Sequence, residues 1–108
     1  MNSARTVIKA DGYTLVVFSP LTGDTWDVPI IAFVIEEFFD TDGPGAGTPD
    51  NYTVTPITVN GIEDAVRNTG WWAVRTPDGP CTTRDWGDYA TKAELVAFFR
   101  SQARAADL

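Results

Sequence analysis

Ile30-Ile31-Ala32-Phe33-Val34-Ile35-Glu36-Glu37-Phe38-Phe39 is the most hydrophobic stretch of the chain, and its reading decides the fold. Wound as a helix, it brings Ile31, Val34, Ile35 and Phe38 onto one face, with Pro29 near a helix start behind an Asp27 cap. Extended, it presents two apolar sets: Ile30, Ala32, Val34 and Phe38 on one side, Ile31, Phe33, Ile35 and Phe39 on the other. The crowding of Ile, Val and Phe suits a pleated, packed surface. That favours a central strand covered on both faces.

Working outward, Thr6–Lys9 and Thr14–Phe18 are short runs rich in β-branched and aromatic residues on either side of Asp11-Gly12, a turn dipeptide, and predict a first hairpin. Pro20, Gly23 and Asp24 make a loop before Thr25–Val28. After the central strand, Asp40 to Asn51 offers no core-forming residue and reads as a loop. Tyr52–Val59 returns to strand character, with Pro56 marking an edge or a bulge because proline cannot donate to a ladder. Asn60-Gly61 turns the chain, and Ile62–Arg67 is either one helical turn or a connection.

Trp71–Arg75 and Cys81–Asp85 flank Thr76-Pro77-Asp78-Gly79, the composition of a type I turn with glycine after it, and predict a second hairpin. Thr91 and Glu94 have the spacing of a capping box. A helix over Lys92–Ala105 follows, turning Leu95, Phe98 and Phe99 to the core and leaving Lys92, Arg100 and Arg104 in solvent. The order predicts one α+β domain over residues 1–108: an antiparallel β-sheet of about five or six strands, a curved meander, with a C-terminal α-helix packed on one face.

With 108 residues, 44% of them hydrophobic, the chain can bury one core without a staple. It has none: Cys81 is alone, which excludes an internal disulfide, and the absence of histidine removes a Cys/His zinc site. Neither a signal peptide nor a membrane-spanning run is apparent, so a soluble, cytoplasmic protein is expected.

Charge is unevenly spread along the chain. Between Ala10 and Val66 there are ten acids and no Lys or Arg, a local charge of −10, while the remainder carries five acids against eight bases, or +3. Such a chain repels nucleic acid and anionic membrane and attracts cationic partners. The expected partner-binding residues are Glu36, Glu37, Asp40, Asp42, Asp50, Glu63 and Asp64, joined by Trp71 if Trp72 and Val74 face the helix and leave Trp71 outside. Acids that only solubilise the chain, and a Trp71 packed under neighbouring elements, are the plainer alternatives.

Catalytic equipment is sparse. Without histidine neither a Ser-His-Asp nor a Cys-His arrangement can form, and Cys81 lacks an activating partner unless Arg75 or Arg84 lowers its pKa across the hairpin. Asp40, Asp42 and Gly45 begin like a calcium loop, but Pro44 stands at the third ligand position and Asn51 where a bidentate glutamate belongs. No catalytic residue, metal or cofactor is expected. The expectation is a monomeric or homodimeric acidic inhibitor or regulator, a DNA mimic whose carboxylates replace phosphates, that docks on a basic protein or ribonucleoprotein and binds no nucleic acid itself. Anti-CRISPR, anti-restriction and nuclease-immunity proteins from phages or other mobile elements share this size and charge, an analogy that reaches no further. A structural or oligomer-forming module is the alternative.

Overall fold

A single long β-hairpin, bent in its middle, organises the chain. In the computed structural model, which describes residues 2–39, 49–83 and 87–106, β1 (Asn2–Lys9) and β2 (Thr14–Phe18) make one arm, and β3 (Thr25–Pro29) and β4 (Ala32–Phe39) the other. β1 pairs antiparallel with β4, and β2 with β3. Between the two ladders the arms stay tied, because Ala10 N–H donates to the Ile31 carbonyl and Ile30 N–H to the Tyr13 carbonyl, each at 3.0 Å. At the tip, Ser19 N–H reaches the Asp24 carbonyl at 2.9 Å.

Lys9 lies opposite Ala32 and Thr14 opposite Pro29, so five steps on one arm match three on the other. The surplus falls at Asp11-Gly12, where Gly12 takes φ +79° and the strand bends as at a bulge. This corrects the expected hairpin between Thr6–Lys9 and Thr14–Phe18. The dipeptide marks a positive φ and not which flanks pair, and β4 gives β1 eight consecutive partners instead.

Each half of the bent hairpin recruits further strands. β5 (Pro49–Ile57) adds to β4, giving the three-stranded order β1-β4-β5. β6 (Trp72–Arg75), β7 (Cys81–Thr83) and β8 (Asp88–Tyr89) extend from β2, giving β3-β2-β6-β7-β8. The short α1 (Asp64–Asn68) links β5 to β6, and α2 (Lys92–Ala105) follows β8. The protein is α+β and antiparallel, with its C-terminal helix on one face of a sheet. Its described strands number eight and fall in two sheets, not in one meander.

α2 forms over the span its sequence predicts. Thr91 Oγ1 accepts from Glu94 N–H at 3.2 Å, the usual first half of a capping box, while Glu94 Oε2 accepts from Ala90 N–H at 3.1 Å, one residue before the cap rather than from Thr91 itself. Its Leu95, Phe99 and Ala103 bury against Val16, Phe18, Ala73 and Cys81 of the five-stranded sheet, with Phe98 at the margin. The opposite face of that sheet buries Leu15, Val17 and Trp72 with Ala10, Ile30 and the α1 residue Val66. Leu15-Val16-Val17-Phe18 is thus the strand covered on both faces.

Two side-chain placements differ from expectation. Trp72 lies opposite Val17 on the face away from α2, and its indole N–H donates to the Thr69 carbonyl at 3.2 Å. Trp71 is the one that meets the helix, its ring 5.6 Å from Phe18 and 5.7 Å from Phe99. Lys92 is half-buried and pairs with Asp27, in the middle of β3.

β4 is a central strand, as its composition predicts, yet Ala32 to Phe38 are only half-buried. Among the described residues no other helix or strand makes more than weak contact with its sheet. The radius of gyration is accordingly 15.8 Å, with extents of 47 × 31 × 24 Å, against about 13 Å for a compact domain of this length. Pro56 lies in β5 at the sheet's edge, opposite Phe33, where a missing N–H costs no ladder bond. Among the described residues no helix is long and apolar enough to cross a membrane.

Candidate functional site

The expected partner-binding acids divide between the three-stranded sheet and the start of α1. Glu36 and Glu37 are consecutive on β4 and therefore project from opposite faces of the three-stranded sheet. Glu36 lies opposite Arg5, whose Nη2 approaches its Oε2 at 3.3 Å; Glu37 lies between Ala4 and Tyr52. Asp50 sits in the β5 backbone where the register shifts between Phe38, opposite Asn51, and Phe39, opposite Pro49. These three share one end of the sheet. Asp40 and Asp42 lie outside the described residues.

Glu63 and Asp64 belong to the start of α1. Glu63 is its N-cap residue, and its Oε1 accepts from Thr58 Oγ1 at 2.7 Å and from Asn60 Nδ2 at 3.2 Å, which fastens the Thr58-to-Gly61 turn to the helix. Asp64 accepts from Asn68 Nδ2. Both carboxylates are thus engaged locally, and Ile62 just before them lines a small cavity with Glu36 and Arg5. Trp71 packs on Phe18 and Phe99.

Folding also mixes charges that are separate along the chain. Arg5 reaches Glu36, and Lys92 Nζ lies 3.0 and 3.1 Å from the two carboxylate oxygens of Asp27. These ion pairs are part-exposed and solvent-screened and stabilise little, but they lower the negative potential around two of the ten acids. What remains is an end of the three-stranded sheet bearing acids on both faces.

The same sheet carries exposed apolar residues that charge counting overlooks. Val7 is 65% exposed, Tyr52 65%, Ile8 47% and Val54 46%. Their sequence signal is that both alternating sets of β1 and β5 contain apolar residues. Between this sheet and the outer face of the five-stranded one runs a cleft of about 910 Å³. Its lining includes Phe33, Val54 and Pro56 on one side and Trp72, Val74 and Ile62 on the other. Tyr13 and Phe33 meet there edge to face, 5.2 Å between centroids.

Reactive chemistry is not concentrated at any of these places. Cys81 is fully buried under α2, with Sγ 3.8 Å from the Gly79 carbonyl oxygen. Burial pushes its thiol pKa up, offset in part by Arg75 directly across the ladder. It is a packed core residue. Among the described residues no group of three Asp, Glu, Cys or His side chains is placed to hold a metal ion. Comparison of the chain with protein-family models, with curated proteins and with solved structures finds no match to it.

Proposed function

We propose that this chain is a binding protein rather than a catalyst, and that it docks an acidic surface onto a basic target such as a nucleic-acid-processing enzyme or complex. One observation carries the reading: a three-stranded sheet that exposes Val7, Ile8, Tyr52 and Val54 and bears Glu36 and Glu37 on its two faces. The exposed apolar residues supply burial and Glu36 and Glu37 supply steering, beside Arg5 and Lys9 on β1 of the same sheet. The net charge of −7 supports a cationic protein or ribonucleoprotein partner and disfavours nucleic acid itself. The lone thiol, Cys81, is compatible with a reducing cytoplasm. Inhibition is the simplest consequence of covering a nucleic-acid channel with carboxylates.

The test is capture of partners from lysate at low ionic strength, followed by a salt titration of the affinity for the purified partner. Binding that weakens as salt rises, and that Glu37→Lys weakens further, is the expected result. Affinity indifferent to both overturns the proposal.

The exposed apolar side chains also favour a second reading, an oligomer-forming module. Self-association through them holds or strengthens in salt, so sedimentation at two ionic strengths separates the two readings.

A further inference from the structure

The cleft between the two sheets joins half-buried apolar side chains to a single charge. Tyr13, Phe33, Ile62 and Val74 pack against the core that Leu15 and Val17 build, yet each stays part-exposed, and all four line the cleft. Trp72 and Pro56, which also border it, are buried core residues and offer a ligand almost no surface. Threonine hydroxyls, those of Thr53, Thr55, Thr76 and Thr82, add a few polar groups. A volume of about 910 Å³ and this apolar lining with sparse polar points match a small-molecule site.

Among the described residues the lining holds no Asp or Glu, although the chain carries a net charge of −7. Its one charged member is Arg67, exposed in the last turn of α1. Glu63 and Asp64 stand four and three residues earlier, the spacings at which carboxylates neutralise a helical cation. Neither does so. Glu63 Oε1 accepts from Thr58 Oγ1 and Asn60 Nδ2, and Asp64 Oδ1 accepts from Asn68 Nδ2. Among the described residues Arg5 and Lys92 hold the ion pairs and Arg67 holds none.

We propose that the cleft binds a small molecule with an apolar body and one carboxylate, the body lying on Phe33, Ile62 and Val74 and the carboxylate paired with the Arg67 guanidinium. Charge decides the class. A guanidinium takes a carboxylate through two parallel hydrogen bonds, whereas a cationic ligand would meet Arg67 with no acid in the described lining to offset it. One guanidinium balances one negative charge, so a carboxylate suits it better than a phosphate dianion. The site goes beyond the basic-target reading and does not rest on it.

The test is a titration of the full chain, followed by heteronuclear NMR, with naphthoate and separately with naphthamide, which keeps the same body without the charge. Naphthoate is expected to shift the amides of Phe33, Ile62 and Val74 with a Kd of about 1 mM or below. Naphthamide should bind about fivefold to tenfold more weakly. Arg67→Gln, a change on an exposed helical position that keeps helix propensity, should lower the naphthoate affinity to that of naphthamide and leave the urea midpoint unchanged. Equal affinity for the two compounds, no binding of either, naphthoate shifts confined to residues outside the cleft, or an Arg67→Gln protein that binds naphthoate like wild type overturns the proposal. The comparison of the two compounds needs no variant, so it decides even where a substitution disturbs the fold.

Discussion

Ala10 donates its amide hydrogen to the carbonyl of Ile31 across 3.0 Å, at the point where both arms of the long hairpin pass from one sheet to the other. That bond, with its neighbour from Ile30 to Tyr13, lets one hairpin serve two sheets. Its near half is buried in a two-sided core, and its far half stands out as a partly covered surface. The division into a stabilising body and an exposed arm thus follows from one bend, made where the first arm carries two residues more than the second.

Gly12 sets that bend. It holds φ +79°, and a Cβ added there would meet Pro77 Cγ at 3.0 Å. Gly12→Ala is expected to lower unfolding stability by about 2 kcal/mol, from the left-handed backbone and the contact together. Urea denaturation reads it as a lower midpoint at unchanged slope; an unaltered midpoint would show that the bend does not depend on glycine.

Much of this architecture is legible in the sequence, and the failures share a cause. Thr91 with Glu94 gives the helix start, Thr76-Pro77-Asp78-Gly79 the second hairpin, and Pro56 an edge strand, because each is a local signal with a local mechanism. Asp11-Gly12 shows a bend but not its partners, since pairing with residues 32–39 is a long-range choice. Trp71 and Trp72 show that neighbouring strand residues part company, but not which one meets α2. The acids illustrate the same limit: Glu36 and Glu37 are adjacent in sequence and back to back in space, while Glu63 is absorbed by Thr58 and Asn60.

Trp71 tests the distinction between packing and docking. Its ring lies against Phe18 and Phe99, so Trp71→Ala is expected to cost about 2 kcal/mol of stability with no partner present, less than the roughly 3–5 kcal/mol of the fully buried Phe99→Ala. Thermal unfolding of the isolated protein decides it. Unchanged stability would return Trp71 to the candidate binding surface.

Thr91→Ala removes the hydroxyl that accepts from Glu94 N–H and is expected to destabilise by about 1 kcal/mol. Thr91→Ser should restore most of that loss. Chemical denaturation of the three proteins checks the order.

Cys81 predicts an alkaline limit. Burial raises its pKa above the ordinary 9.0, with Arg75 offsetting part of the rise. The thiol's contribution to stability is therefore complete below the unfolded value and is lost as pH rises through the raised folded one. Cys81→Ala should flatten the fall in stability between about pH 8 and 10, measured by denaturant titration. Thiol reagents should label the native wild-type protein only at its rate of opening.

The central claim is that the three-stranded sheet is the surface a basic protein partner engages. Amide hydrogen exchange of the chain, free and bound to its purified partner, tests it most directly. New protection is expected in Asn2–Lys9, Ala32–Phe39 and Pro49–Ile57, with the amides of α2 unchanged; protection confined to α2 and the strands β6 to β8 would place the partner elsewhere.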